Sequence, residues 1–149
     1  MLTKYYPHVL TALFLILFAF LAIDPFSRAV WFAEILPVVL VFSVLLFTYS
    51  QFRFSNLAYS LMAVWLVWHT IGGHYTFANV PFAFVTDLLG AERNHFDRIG
   101  HFSVGLYAFA IMEWALRKGY CGPIFAAGFA LFAIMAVAAG YEIVEWWYA

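Results

Sequence analysis

The chain has 149 residues, of which 66% are hydrophobic and only 10% are charged. Because about a quarter of the residues in soluble domains are charged, a water-soluble fold is excluded. The formal net charge of −1 offers no basic excess for binding nucleic acid. The single cysteine, Cys121, excludes an intrachain disulfide. These features indicate one integral membrane domain over residues 1–149.

Three predicted membrane spans occupy the first half of the chain. The hydrocarbon core of a bilayer is about 30 Å thick and needs roughly 20 apolar residues of helix. The segments that come close to this length are 7–23, 29–48 and 54–71. The first is interpreted as a retained span rather than a signal peptide, because Phe20 stands where a cleavage site needs a small residue.

The stretch over residues 72–89 is apolar but is not predicted to span the membrane. Asn79 and Pro81 interrupt it, and proline breaks the hydrogen-bond ladder of a helix. A re-entrant or interfacial segment is the predicted structure, since irregular backbone at membrane depth needs protein or water to cover its polar groups. Gly72 and Gly73 are expected to break the preceding helix.

Two further spans are predicted, over residues 96–116 and from Pro123 onward. Proline suits the first turn of a helix. Gly105, Ala136 and Gly140 are expected to provide small surfaces for close helix packing. The predicted fold is therefore an all-α, polytopic transmembrane helix bundle of about five spans, plus the re-entrant or interfacial segment.

Five alternating spans would bring most of the ionisable side chains to one face of the membrane. Lysine and arginine are slightly more frequent on the opposite face, which favours a cytoplasmic N-terminus and an outer location for the ionisable layer. The members of this layer are His69, His74, His95, His101, Glu34, Asp97, Glu142 and Glu145. No Asp, Glu, His, Lys or Arg is predicted at the bilayer midplane, which disfavours an ion channel or pump.

Some spacings within this layer point to chemistry. Asp97 and His101 are four residues apart, and Glu142 and Glu145 are three apart, so each pair shares a helix face. Such pairs can chelate a divalent metal such as zinc, or they can perform acid/base catalysis. The predicted metal ligands are His69, His74, His101 and Glu145, and the predicted catalytic residues are His101, Asp97 and Glu142.

Glu34 and two arginines complete the predicted site. An isolated acid inside an apolar run costs about 2.5 to 3.5 kcal/mol on insertion, so Glu34 is expected to have an inward-facing partner. Arg93 and Arg98 flank the same region, where a guanidinium could bind the phosphate or carboxylate of a substrate.

Structural interpretations compete with these assignments. Asn94 can be the N-cap of a helix whose first turn contains Asp97. The two glutamates of the last span precede an aromatic belt over 146–148, where carboxylates can be hydrated. Glu113 lies one turn before Arg117, and an ion pair within the helix is its predicted role.

The string HTIGGHYTFANVP over residues 69–81, followed by RNHFDRIGHF over 93–102, resembles the YjdF-type family of small bacterial inner-membrane proteins. The resemblance covers most of the chain and implies a helical inner-membrane protein, but no reaction. A shorter resemblance is to VanZ-like membrane proteins, whose Asp-Lys-x-x-His-Phe element is similar to residues 97–102. Their later acid would correspond to Glu142 or Glu145. The pattern of the first family continues past the equivalent of Ala149, so truncation of the chain is one interpretation.

Three functions remain open from the sequence. The first is an enzyme that hydrolyses or transfers a group of an amphipathic, lipid-like substrate, with a metal-bound water or a His/Asp pair activating the nucleophile. The second is a protein that binds a divalent cation or a polar headgroup without turnover, or that assists transport. The third is a structural subunit of a membrane complex. Membrane lipids are the expected partners, with either an oligomer or a heteromeric membrane partner covering the polar layer.

Overall fold

The fold, given by a computed structural model that describes residues 2–88, 90 and 94–148, is entirely helical across those residues. The helices are α1 Leu2–Leu21, α2 Arg28–Thr48, α3 Asn56–Tyr75, α4 Ala83–Leu88, α5 Phe96–Val104, α6 Tyr107–Arg117 and α7 Pro123–Tyr148. Among the described residues, three stretches are long and apolar enough to cross a membrane, namely α2, the α5–α6 pair and residues Pro123–Val144 of α7. Residues Tyr5–Leu21 of α1 form a shorter apolar helix. The predicted all-α polytopic bundle is confirmed, while its count of about five spans stays a prediction, because α3 is not among these stretches in the described part of the chain.

Helix α3 lies at the centre of the bundle, where it contacts α1, α2, α5 and α6. Its N-cap is Ser55, whose Oγ accepts the Ala58 N–H at 3.2 Å. A cluster of buried apolar side chains joins α3 to α1 and α2, and it consists of Phe14, Trp31, Ile35, Val38, Trp65 and Leu66. Since α3 has neighbours on several sides, it can carry polar residues such as His69 that a lipid-facing helix could not.

The C-terminal end of α3 departs from the sequence prediction. The helix continues through Gly72 and Gly73 to Tyr75, so the predicted break at the two glycines is wrong. The residues that stop the helix, directly after Tyr75, are Thr76 and Phe77, whose φ angles of 60° and 48° are left-handed. The Phe77 N–H donates to the Gly72 carbonyl at 2.7 Å, which turns the chain back over the end of the helix.

The two glycines allow close approach rather than a break. A Cβ atom on Gly72 would overlap the ring of Phe77, and one on Gly73 would lie 3.1 Å from Cβ of Glu34. Both positions are buried inside α3. The absence of a side chain therefore brings α2 and the Phe77 turn directly against α3.

In the described part of the segment after α3, no helix is long enough to cross a membrane, and the re-entrant or interfacial placement stays a prediction. Helix α4 of this segment has only six residues, about 9 Å of rise. Asn94 anchors the far end of this segment: its amide donates to the Val80 carbonyl at 3.0 Å, and its Oδ1 accepts the Phe96 N–H at 2.8 Å. The N-cap of α5 is His95 rather than the predicted Asn94, although Asn94 satisfies the first N–H of the helix.

The fourth predicted span is interrupted near its middle. The N–H groups of Gly105 and Leu106 bond to carbonyls three residues earlier, at 3.0 and 3.1 Å, so the chain tightens between α5 and α6. The predicted helix packing at Gly140 is not found, because a Cβ atom there would meet nothing within 4 Å. Within the described residues, the glycines that meet other helices or loops closely are in α3 and α5 instead.

A polar network joins the end of α6 to the start of α3; we call it the Glu113 network. Arg117 Nη1 donates to Glu113 Oε1 at 2.6 Å and to the Arg53 carbonyl at 2.7 Å. Glu113 also accepts the N–H and the hydroxyl of Ser55, at 2.8 and 2.7 Å. The predicted Glu113–Arg117 ion pair is confirmed.

Candidate binding site

A cavity of about 980 Å³ lies between α2, α3, α5, α6 and α7. Most of the side chains along its length are apolar and come from the middle of the helices. One end, which we call the polar end, is lined by Glu34, His69, Asp97, His101 and Tyr141. The other end is lined by polar residues of the opposite helix termini, Thr48, Gln51 and Lys118.

Glu34 and His69 meet at the polar end between α2 and α3. Oε2 of Glu34 lies 3.3 Å from Nε2 of His69 and accepts a hydrogen bond from the Tyr141 hydroxyl, also at 3.3 Å. Glu34 therefore has the inward-facing partner that its position requires. His69 is only 7% exposed, and its ring packs 4.9 Å from that of Trp65 and 5.1 Å from that of Phe77, measured between ring centroids.

The Nε2 atom of His69 is buried and makes no hydrogen bond with any described residue, although the Glu34 carboxylate lies nearby. The two groups are close, but they are not aligned for a hydrogen bond. A buried polar atom without a hydrogen bond costs about 1 to 3 kcal/mol. The polar end therefore contains a group whose bonding capacity the described protein does not use.

A second pair of groups forms where α5 approaches α7. His101 Nε2 lies 2.7 Å from Glu142 Oε1, while Nδ1 lies 3.1 Å from the Asp97 carbonyl oxygen and 3.4 Å from Asp97 Oδ1. All three side chains are about half exposed. Because Tyr141 and Glu142 are adjacent, α7 reaches Glu34 of α2 with one residue and His101 of α5 with the next.

His74 lies apart from the polar end and has a structural partner. Its Nδ1 lies 2.8 Å from the Leu21 carbonyl at the end of α1, and its own carbonyl accepts the Phe26 N–H at 2.9 Å. These bonds tie the end of α3 to the connection between α1 and α2. Since α3 is unbroken, His69 and His74 do not converge.

Of the remaining predicted site residues, one does not line the cavity, and the other two lie outside the described part. Arg98 is exposed, and its Nη1 lies 3.3 Å from Nδ1 of His95. Arg93 and the side chain of Glu145 lie outside the described residues.

The predicted divalent metal site finds no support in the geometry. Across the described residues, no three His, Cys, Asp or Glu side chains are grouped closely enough to hold a metal ion. His69 and His101 each pair with carboxylates on other helices, and His74 bonds to a backbone carbonyl.

Two aromatic residues at or beside the polar end, Tyr141 and Phe77, are absent from the sequence prediction. Tyr141 precedes Glu142 and was hidden in the aromatic end of α7. Phe77 follows α3, and its ring covers Gly72 and lies 3.4 Å from the position that a Cβ on Gly100 would take. The signal that could have found Phe77 is the pair Gly72 and Gly100, each close in sequence to a histidine of the polar end. A glycine inside a helix often marks the close approach of another part of the chain.

Comparison with known proteins identifies the family. Residues 6–149 match the family described as predicted membrane protein DUF2238. The chain belongs to this family. It is 33% identical over 128 residues to the inner membrane protein YjdF of Escherichia coli strain K12, a match that covers 84% of this chain and 61% of that protein.

The family membership confirms the resemblance to YjdF-type proteins and establishes a membrane protein. The chain spans about three fifths of the length of the curated relative that it matches. No solved structure matches it significantly.

Proposed function

We propose that this protein binds an amphipathic, lipid-like molecule within the bilayer. The apolar chain of that molecule occupies the cavity, and its polar group lies at the polar end. The observation that carries the proposal is the form of the cavity, whose lining is apolar over most of its length and polar where Glu34, His69 and His101 meet.

The dimensions of the cavity favour a ligand with a long chain. Its volume of about 980 Å³ is at the upper end of the range for small-molecule sites. From Glu34 to Thr48, which line opposite ends, α2 rises about 21 Å. This is roughly two thirds of the hydrocarbon thickness of a bilayer.

The unused Nε2 of His69 favours binding over a purely structural role. A polar layer that only ties helices together would be expected to complete its own hydrogen bonds, since incomplete buried networks destabilise a fold. A ligand with a polar group would supply the missing partner.

The main test uses a variant that fills the cavity. Ala133 lines the cavity on α7, whereas Ala139 is an exposed residue of the same helix outside its lining. We expect native mass spectrometry of the purified parent protein to detect a retained amphipathic molecule, and Ala133→Phe to abolish its retention. Ala139→Phe should retain it. No retained molecule in the parent, or equal retention in both variants, would contradict the proposal.

A second candidate function is acid/base chemistry on the bound molecule, by hydrolysis or group transfer. It is favoured by the Glu34–His69 pair, because an imidazole can accept a proton at Nε2 while a carboxylate 3.3 Å away stabilises the resulting cation. His101, between Asp97 and Glu142, is a second candidate base. The test is turnover of a bacterial lipid extract, measured by chromatography. His69→Gln should lose the activity while it still retains the ligand. If the parent protein retains the ligand but turns over no lipid, binding alone is the function.

We further propose a bacterial inner-membrane location with a cytoplasmic N-terminus and the polar end near the outer face. The name of the Escherichia coli relative and the distribution of basic residues support this arrangement. Cys121, between α6 and α7, should react with an impermeant maleimide only after cells are permeabilised. Ala78→Cys in a Cys121→Ser background should react in intact spheroplasts. The opposite pattern would reverse the orientation.

A further inference from the structure

We infer that the polar group of the ligand contains a primary ammonium, and that this ammonium binds at the polar end. The inference rests on the proposed function and specifies the chemistry of the bound molecule. It differs from the anionic group that the arginines suggest in the sequence.

The charge of the polar end favours a cation. Glu34 and Asp97 line it, and Glu142 lies beside it on His101, so three carboxylates face the two imidazoles of His69 and His101. Even with both imidazoles protonated, one negative charge remains when the carboxylates are ionised. Of the described residues that line the cavity, Lys118 alone is a lysine or arginine, and it lies at the other end.

The hydrogen-bonding geometry favours a group with several N–H donors. Glu34 Oε2 and His69 Nε2 are 3.3 Å apart in a buried setting, and His69 Nε2 has no hydrogen bond within the described structure. An ammonium group has three N–H donors and no acceptor, so it can donate to both atoms at once. A quaternary ammonium group lacks these donors, and a phosphate would add negative charge to the carboxylates.

Aromatic rings beside His69 add to the preference for a cation. The centroids of the Phe77 and Tyr141 rings lie 5.1 and 6.3 Å from that of the His69 ring. A cation near the face of an aromatic ring is attracted by the electron density of that face. Carboxylates and rings together form an environment typical of amine recognition.

The same ammonium chemistry has two sources, a single-chain alkylamine and the headgroup of an aminophospholipid. The test therefore measures both. The protein is placed in phosphatidylcholine nanodiscs, whose headgroups have no N–H donor, and binding is quantified by equilibrium dialysis with mass spectrometry. The probes are dodecylamine, lauroyl lysophosphatidylethanolamine, dodecyltrimethylammonium, dodecyl phosphate and dodecanol.

We expect dodecylamine to bind saturably and at least about tenfold more tightly than dodecyltrimethylammonium, dodecyl phosphate or dodecanol, because a charged hydrogen bond in a buried site is worth about that factor. Lysophosphatidylethanolamine as tight as dodecylamine would identify an aminophospholipid, and weaker binding would identify a single-chain amine. Both results support the inference.

The decisive variant is Glu34→Gln, which removes the partly buried carboxylate with little change in shape. It should weaken dodecylamine binding about tenfold. Asp24→Asn is the matched control, because Asp24 is an exposed acid outside the cavity lining and asparagine tolerates its left-handed φ of 51°. This control should bind within about twofold of the parent. If Glu34→Gln fails to fold, Asp97→Asn at a half-exposed position provides the same measurement, with a smaller expected loss.

Two kinds of failure are distinguishable. Binding of the quaternary ammonium, the phosphate or the alcohol as tightly as the amine, or an equal loss in Glu34→Gln and Asp24→Asn, would overturn the inference while leaving the proposed function intact. Failure of all five probes to bind would overturn the proposed function as well.

Discussion

The Glu113 network and the polar end of the cavity are built from similar residues but differ in how far their hydrogen bonds are completed. Both oxygens of Glu113 accept short bonds, from Ser55 and Arg117. At the other end of the bundle, Glu34 receives one bond of 3.3 Å from Tyr141, and His69 Nε2 has none from the described residues. This difference suggests a criterion for telling such clusters apart. A polar cluster that holds helices together has complete hydrogen bonds, whereas one suited to a ligand has a hydrogen bond left to make, whatever the charge of either cluster.

The strongest test of this difference is Glu113→Ala. The substitution leaves the Ser55 N–H, the Ser55 hydroxyl and one contact of Arg117 without their acceptor. We expect the free energy of unfolding in mild detergent to fall by about 2 to 3 kcal/mol, with ligand binding unchanged. A stability equal to that of the parent would show that the Glu113 network does not hold α3 to α6.

Gly72→Ala tests the contact that closes the polar end. The added methyl group must displace the ring of Phe77, so we expect a loss of about 1 to 2 kcal/mol in thermal unfolding. Gly128→Ala in α7 is the matched control, because its Cβ would meet nothing within 4 Å and alanine favours a helix by about 1 kcal/mol. Equal changes in the two variants would contradict the role assigned to Gly72.

The double variant Glu34→Leu with His69→Phe separates function from stability. Replacing a largely buried, incompletely bonded polar pair by apolar side chains is often neutral or stabilising, and we expect a gain of about 1 kcal/mol in the free energy of unfolding. Binding of the amphipathic ligand should be lost. Strong destabilisation would instead place this pair with the Glu113 network as a structural cluster.

The smallest effect is expected from metal removal. Because no three potential ligands are grouped among the described residues, treatment with a chelator should leave both melting temperature and ligand binding unchanged. Loss of binding on chelation, restored by added zinc, would return the predicted metal site to consideration.

The long helices α2 and α7 were predictable because each needs only a long apolar run, and their approximate bounds follow from the charges and prolines around them. The need of Glu34 for a partner was predictable for the same reason, since an acid in such a run is costly. That the partner is His69 depends on how deeply two helices overlap. Residue spacing within one helix carries no information about that overlap.

The errors arise where one residue type serves two purposes. A pair of glycines can break a helix or admit a neighbour, and Gly72 and Gly73 do the second because Phe77 and Glu34 lie against them. His74 looked equivalent to His69 in the sequence, but five further residues of helix turn its ring toward α1. Tyr141 was hidden because tyrosine near a helix end is usual at a membrane boundary.

Some residues that line the cavity from α2 and α7 are more than half exposed: Leu40, Val44, Phe129 and Val137. The wall between α2 and α7 is thus open sideways, toward the surrounding acyl chains. The fraction of cavities that hold a ligand would then follow the mole fraction of the ligand in the membrane rather than its concentration in water. Two amines that differ only in tail length would show unequal apparent affinities from solution, yet similar ones once their partitioning is taken into account.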